Sequence, residues 1–442
     1  MPPRLLPDLS RSAWRAWVLA LALLAGCYGD DVTRPQPAAA CDLASQKAWL
    51  RDYMREWYLW AGRAPDPEPG ADATLAQYFE ALRFRGDAST PADVWSYYQD
   101  SASYQQFFGE GRTLGYGLFV NGVERTLPLR VRMVEPQGPA ALAGLQRGDR
   151  IVALNGVPDS SLITGDFALL SPAQPGERLT VELENDAGRR TLELVAAVYD
   201  LTPVPVARVL ALPDGRRVGY LALKDFIVQA EAPVAAAFEA MRAQGAGELI
   251  VDLRYNGGGR ISTARQLASQ VVGAARAGEV FVALRHNAAH RDVDLVLRYL
   301  RAPAPSFRRV LVLTGSRTCS ASELIVNGLA PQVEVVTLGG RTCGKPYGFD
   351  PIASCGNTFN VVNFDSVNAA GQGGYVDGLA PTCAVAEDFT GALGDPAERL
   401  TGAALAYLQT GQCPAAAAPL RALQPLRPAR PEPGERPGMR LD

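Results

Sequence analysis

A chain of 442 residues is long enough for two or three domains, each with its own core. With 43 basic against 46 acidic residues, a net charge of -3 and 48% hydrophobic residues, it has the makeup of an ordinary globular protein. It lacks the basic excess that would argue for nucleic acid as a partner. Lysine is scarce: Lys47, Lys224 and Lys345 stand in a chain that otherwise uses arginine. Arginine cannot act as a base near neutral pH, whereas a buried lysine can lose its proton, so a lysine inside a candidate site carries weight.

At the N-terminus, Arg4, Arg11 and Arg15 precede an apolar run from Trp17 to Ala25, too short to span a bilayer comfortably. That is the layout of a secretory signal peptide over residues 1–26. The stretch Leu24-Ala25-Gly26-Cys27 resembles a bacterial lipobox, which implies lipid attachment at Cys27 and an exported protein tethered on the periplasmic or cell-surface side. The alternative is a plain signal peptide with an incidental cysteine. Tyr28 follows where an aspartate would hint at inner-membrane retention, which leaves an outer-membrane anchor open. Residues 27–40, with Pro35, Pro37 and a run of alanines, read as a flexible spacer. Beyond Cys27 lie Cys41, Cys319, Cys343, Cys355, Cys383 and Cys413, an even set that suggests disulfides in an exported chain, with many pairings open. No CxxC or Cys/His cluster points to a metal, and no organic cofactor is implied.

Residues 41–107 read as a helical region. Trp49, Tyr53, Trp57 and Trp60 recur at helical spacing, a Pro-rich break runs from Pro65 to Pro69, and Leu75, Phe79 and Leu82 mark a second helix. An aromatic stripe of this kind is a packing face rather than a ligand box. From 108 to 202 the pattern changes to short strands and turns. The run Gly138-Pro139-Ala140-Ala141-Leu142-Ala143-Gly144 and the turn Arg147-Gly148-Asp149, ending at Asn155-Gly156, closely resemble a PDZ domain. In that resemblance Gly115, Tyr116, Gly117 and Leu118 correspond to the loop whose N–H groups hold a peptide's terminal carboxylate, and the strand after it accepts the peptide as an added strand.

Residues 203–413 alternate strand and helix as in a layered α/β fold. A strand from Val218 is followed by a helix near Ala232 to Gln244, and the apolar strand Leu249 to Val251 runs into Asp252-Leu253-Arg254 and Gly257-Gly258-Gly259. A helix from Ser262 to Val271 and strands near Glu279 to Leu284 and Val310 to Leu313 come next. Ser320 then falls on a strand-to-helix turn, because Ala321, Leu324, Ile325, Gly328 and Leu329 have helical spacing. A strand from Val333 to Leu338 leads to the loop that carries Lys345, 25 residues after Ser320. Parallel strands deliver their C-terminal ends to one edge, so hydroxyl and amine can meet there. Residues 414–442, rich in alanine, proline and arginine without periodicity, read as a disordered tail.

A serine attacks an acyl carbon when a neighbouring base takes its proton, and a neutral lysine can be that base. Ala321 N–H, at a helix start, and the loop around Gly258 are candidate oxyanion donors. Ser320-Ala321-Ser322-Glu323, Lys345 and Asp252-Leu253-Arg254 with Gly258-Gly259, downstream of a PDZ pattern, resemble the C-terminal processing (tail-specific) serine peptidases, in a lipoprotein subgroup. The resemblance implies a multidomain α+β protein with an N-terminal helical segment, a PDZ-like β domain and a layered α/β (ClpP/crotonase-like) peptidase domain. It also implies a Ser320 nucleophile, a Lys345 base, and substrates that are proteins or peptides recruited by their C-terminal tails. Phe349 stands where many members have a glutamine that orients the lysine, and Pro346 follows Lys345 where a second glycine is usual. A bridge between Cys319 and Cys343 would fix the serine turn against the lysine loop.

Bland readings accompany each residue. Ser320 and Glu323 have the spacing of a capping box, a solvated loop cation is the alternative for Lys345, and a simple turn with no donor role is the alternative for Gly257 to Gly259; their coincidence downstream of a PDZ pattern favours the catalytic reading. Two rival functions remain: a Ser/His hydrolase using His286 or His290, which lie in a polar stretch that reads as an exposed loop, and an inactive lipid-anchored scaffold that only binds peptides.

Overall fold

The computed structural model describes residues 35–70, 74–122, 127–164, 167–303, 306–414 and 438–441. The signal sequence, the lipobox with Cys27, and most of the C-terminal tail lie outside the described residues.

In the N-terminal region, α1 (Leu43–Trp57) starts where Asp42 accepts from Ser45 N–H at 3.0 Å, and α2 (Leu75–Leu82) starts with a Thr74/Gln77 capping box. β1 (Tyr97–Asp100) and α3 (Ser101–Phe108) follow. The aromatic stripe is a packing face, as its spacing suggests. Tyr53, Trp57 and Trp60 are buried with Tyr78, Phe79 and Leu82 against Tyr347, Phe349, Phe359 and Val362 much further along the chain.

The PDZ-like unit contains β2 (Arg112–Gly115), β3 (Leu118–Val120), β4 (Val131–Val134), α4 (Pro139–Leu142), β5 (Arg150–Leu154), β6 (Val157–Pro158), α5 (Asp159–Leu162), β7 (Arg178–Asn185), β8 (Gly188–Val195) and β9 (Ala197–Asp200). Alternate residues of β7, Leu179, Val181 and Leu183, are fully buried in a core with Val131, Ile151 and Leu154. β3 pairs with β4 alone among the described residues; all three of its residues are buried, and Val120 C=O accepts from Arg132 Nε at 3.0 Å.

The remaining domain opens with β10 (Val206–Ala211), β11 (Arg217–Ala222), α6 (Glu231–Ala243), β12 (Glu248–Asp252), β13 (Gly258–Arg260), α7 (Ile261–Val272), β14 (Val280–His286), β15 (Leu295–Arg298), β16 (Arg309–Thr314), α8 (Ala321–Leu329) and β17 (Glu334–Gly339). It continues with β18 (Tyr347–Phe349), β19 (Ile352–Ser354), β20 (Asn357–Asn360), β21 (Val362–Asn368), β22 (Cys383–Ala384), α9 (Arg399–Thr410) and β23 (Gly438–Arg440). One sheet runs β10-β11-β12-β16-β17-β22, parallel from β11 onward. Its two faces show in the alternation of β12. Leu249 and Val251 meet α6, α7 and α8, whereas Ile250 meets α9 through Leu400, Ala404 and Leu408. Asp252 is opposite Leu313, and Leu313 opposite Leu338, so the loops after β12, β16 and β17 emerge at one edge. A second sheet runs β13-β23-β18-β21-β14-β15, and a third joins β1 to β20 and β19.

Two expectations need correction. The tail does not end in disorder throughout: Gly438 to Arg440 form β23, inserted between β13 and β18, because backbone pairing needs no side-chain periodicity. The stretch with His286 and His290 is not an exposed loop either. His286 ends β14 at 4% exposure, and His290 stacks on Trp57 with ring centroids 3.7 Å apart, so the polar residues there cover packed rings. The disulfides pair Cys41 with Cys355, Cys319 with Cys343, and Cys383 with Cys413.

Candidate active site

The serine turn is built onto the glycine loop. Thr318 Oγ1 donates to Leu253 C=O at 2.8 Å, Cys319 N–H to Asn256 C=O at 3.1 Å, and Ser322 Oγ to the same carbonyl at 2.9 Å. These bonds hold Ser320 at φ 60 and ψ -113, a left-handed backbone that a serine adopts only under constraint and that is characteristic of nucleophile turns. Ser320 is fully buried, and its Oγ has no hydrogen-bond partner among the described residues. The hydroxyl is therefore not spent on capping α8.

Lys345 is also fully buried with its Nζ unpartnered among the described residues. Oγ and Nζ consequently do not bond each other in this state. Burial drives the amine well below the ordinary lysine range, and the charges of Asp93 and Glu323 pull it only part of the way back. The Nζ sits 3.7 Å from the centroid of Phe349 and 5.5 Å from that of Trp95. The ring at the position where a glutamine was expected is thus the floor under the amine. Asp93, beside Trp95, accepts from Tyr58 Oη at 2.6 Å and from the Trp95 and Ser96 N–H groups, so the N-terminal region shapes the lysine's surroundings.

Glu323 is the residue that the sequence reading undervalued. Its Oε2 accepts from Ser320 N–H at 2.9 Å and Lys345 N–H at 2.8 Å, and its Oε1 from Gly344 N–H at 2.8 Å and Thr342 Oγ1 at 2.5 Å. One buried carboxylate thus joins the serine turn to the lysine loop. The Cys319–Cys343 bridge joins them again, with Cα atoms 5.2 Å apart. Burial raises the Glu323 pKa while the donors oppose the rise. Cys319, Glu323 and Cys343 converge within 4.8 Å, as metal ligands do, but both sulfurs are committed to the bridge and both oxygens to donors. The S-x-x-E spacing was the available signal for Glu323; its distant partners carried none.

Ala321 N–H opens α8 beside Ser320. Gly258 differs from its expected role: its N–H is bonded to Asn256 Oδ1 at 2.8 Å, so it donates to an oxyanion only after that bond opens. Gly115 ends β2 and Leu118 begins β3, while Tyr116 C=O accepts from Ala140 N–H at 2.8 Å and Gly117 C=O from Glu135 N–H at 2.9 Å. Gly117 has φ 68, and a Cβ there would lie 2.9 Å from Gly138 Cα, which explains the glycine. All four residues are buried. Ser320 Oγ has no hydrogen bond to any of them, and the PDZ-like unit meets the α/β domain elsewhere. Arg147 pairs with Glu387 at 2.7 Å and bonds Tyr255 Oη, and Lys224 pairs with Glu135 at 3.3 Å. Arg254, from the stretch before the glycine loop, holds Glu398 at 2.7 Å. Burial pushes Glu398 upward, but Arg254 holds it down at about 2. His286 Nδ1 faces Asp294 Oδ1 at 3.4 Å, and no hydrogen bond links either histidine to Ser320.

Residues 217–361 match peptidase family S41, residues 45–97 the S41 N-terminal domain, and residues 130–185 a PDZ domain. The chain belongs to peptidase family S41. Among its relatives, carboxyl-terminal-processing peptidase 3 of Arabidopsis thaliana is 26% identical over 63% of this chain and 54% of its own length. The carboxyl-terminal-processing protease of Synechocystis is 27% identical over 53% of each chain. The chain thus spans about half the length of these curated relatives. A candidate S41 protease from Bacteroides fragilis superposes with a TM-score of 0.65 at 22% identity, covering 85% of this chain and 99% of that one. The photosystem II D1 C-terminal processing protease gives 0.50 at 20% identity, covering 77% and 92%. The S41 fold is shared at these identities. No helix among the described residues is long and apolar enough to cross a membrane.

Proposed function

We propose that this S41 member is a serine endopeptidase in which Ser320 attacks the scissile carbonyl and Lys345 takes its proton. The observation that carries the reading is the pair of fully buried, unpartnered polar atoms, Ser320 Oγ and Lys345 Nζ, held on loops that Glu323 and a disulfide tie together. Leaving two such atoms unsatisfied costs roughly 1–3 kcal/mol each, which a purely structural site has no reason to bear. Depressing the lysine pKa makes the neutral amine available near neutral pH. Ala321 N–H is the nearer oxyanion donor by chain position, and Gly258 joins it once released from Asn256. Substrate tails are recruited by strand addition along β3, whose described strand partner is β4, with the carboxylate at Tyr116, Gly117 and Leu118 and Arg132 moving from Val120 C=O to make room. Export and lipid anchoring at Cys27 complete the proposal; three disulfides fit an oxidising compartment.

The test compares Ser320→Ala, Lys345→Ala and Lys345→Arg on an unfolded protein substrate. Loss in all three is expected, and substantial activity in Lys345→Arg removes the proton-transfer role. The bonded Gly258 N–H favours a second reading, an inactive peptide-binding scaffold. A serine-reactive fluorophosphonate separates the two, because labelling that vanishes in Ser320→Ala requires a competent nucleophile. Anchoring is checked by fractionation: Cys27→Ser should release the protein from membranes, and an unchanged distribution argues against the lipid.

A further inference from the structure

The strand β23 lies inside the second sheet, between two segments that border the candidate dyad. On one side is β13, which begins at Gly258; on the other is β18, which begins two residues after Lys345. It runs parallel to both, with Gly438 opposite Gly258, Met439 opposite Gly259 and Gly348, and Arg440 opposite Arg260 and Phe349. Leu441 N–H then donates to Phe349 C=O at 3.0 Å, and Leu441 packs on the main core.

β13 and β18 do not pair with each other. They are separated by one strand's width on each side of β23, about 5 Å per step. On its far edge β13 bonds Phe226: Phe226 N–H reaches Gly258 C=O at 3.0 Å, and Arg260 N–H reaches Phe226 C=O at 2.7 Å. Backbone groups alternate along a strand, so the N–H and C=O of Gly259 face β23. Without an occupant, the slot exposes unpaired backbone groups on both walls, and these are satisfied by an extended chain. A Cβ at Gly259 would come 2.2 Å from Phe226 C=O, so this close strand needs the glycine, at φ 132.

The slot also reads a side chain. The Arg440 guanidinium lies 5.1 Å from the Tyr104 ring centroid and 4.3 Å from that of Phe108, and it donates to Tyr104 Oη. Tyr104 and Phe108 stand one turn apart on α3 and tilt toward each other with centroids at 4.8 Å. Arg440 is only 8% exposed, so the cation–π contacts are largely desolvated and correspondingly strong.

We propose that the slot between β13 and β18 is a strand-binding cleft whose resident ligand is the chain's own segment Gly438–Leu441, with Tyr104 and Phe108 forming a pocket for a basic side chain. Other extended peptides that carry arginine followed by an apolar residue compete for it. Displacing β23 frees the walls beside Gly258 and Lys345, so the segment acts as a built-in competitor. That last consequence rests on the peptidase reading, whereas the strand binding does not.

The test uses the full chain. Hydrogen exchange of the backbone at residues 258–260 and 347–349 is measured in the wild type, Arg440→Glu and Phe108→Leu, with melting curves to confirm folding. Both variants should lose protection in these segments by about tenfold or more, the scale of a desolvated cation–π contact. A synthetic peptide of residues 434–442, added to Arg440→Glu, should restore the protection, and the same peptide with glutamate at the arginine position should not. Unchanged exchange in both variants, or restoration by both peptides alike, overturns the proposal. Proteolysis of an unfolded substrate is read separately: Arg440→Glu should be faster than wild type, and the arginine peptide should inhibit it competitively. Peptide-restored protection in a protein that cleaves nothing supports the cleft and defeats the peptidase reading instead.

Discussion

Glu323 offers the sharpest prediction, because its carboxylate is the acceptor for both halves of the proposed dyad. In Glu323→Ala the N–H groups of Ser320, Gly344 and Lys345 lose their acceptor inside a fully buried site. Each orphaned donor costs about 1–3 kcal/mol, so even the low end, taken three times, is about 3 kcal/mol. For a domain of this size that lowers the melting temperature by roughly 6 °C or more. Glu323→Gln is the milder probe. Thr342 can turn its hydroxyl to accept from the new amide, leaving Gly344 N–H facing a donor, so the cost is that of one orphan, about 1–3 kcal/mol. If that loosens the lysine loop in the transition state by the same amount, kcat/KM falls roughly tenfold to hundredfold. There is also a pH signature. The Glu323 charge helps hold the Lys345 pKa up against burial, and in the proposed mechanism the neutral amine is the active form. Removing the charge lets the pKa fall further, so the rising limb of the rate moves to lower pH. The assay is kcat/KM against pH on an unfolded substrate, beside differential scanning fluorimetry. A Glu323→Gln protein with wild-type rate, melting temperature and limb position would refute the clamp; a lower rate with an unmoved limb would refute the electrostatic part.

Lys345→Met should abolish hydrolysis while raising stability by about 1–3 kcal/mol near neutral pH, since it removes a buried amine without a partner. The sign follows from linkage: the amine titrates lower in the folded state than unfolded, so the wild type gains stability as pH rises from the lowered folded pKa toward the unfolded one. The Met variant should lack that slope in denaturation curves, and an identical slope contradicts the assignment. Phe349→Leu removes the ring 3.7 Å from Nζ and so weakens the ammonium form, which should lower the kinetic pKa by roughly half a unit to one unit; an upward shift would show that the ring does not act through its face. Loss of Cys319–Cys343 and loss of Cys383–Cys413 remove bridges of similar span, 24 and 30 residues, so each should cost a comparable few kcal/mol, about 3. Only the first should also cut kcat; equal kinetic losses in the two Cys→Ser pairs would show that the bridge at the dyad has no special part in holding it.

What the sequence revealed and what it concealed divide along the reach of the interactions. The turn carrying Ser320 was legible because strand, turn and helix are local patterns, and the parallel register then brings the ends of β12, β16 and β17 together without further information. The PDZ-like core was legible for the same reason. The lysine's surroundings were not. Trp95 and Phe349 lie in different regions of the chain, and nothing in the spacing of either says that they meet at one amine. β23 is held chiefly by backbone pairing and one arginine between two rings, so a tail without periodicity gave no sign of it. The capping-box reading of Ser320 is the instructive case, because it was set against the catalytic one and the two prove compatible. A capping serine in the usual extended conformation spends its Oγ on the helix. At φ 60 Ser320 instead gives Glu323 its N–H and keeps Oγ unpartnered, and the same carboxylate reaches across to Lys345 N–H. The helix cap is therefore the device that presents the proposed nucleophile, and the strain at Ser320 is offset by the bonds that also set the position of its proposed base.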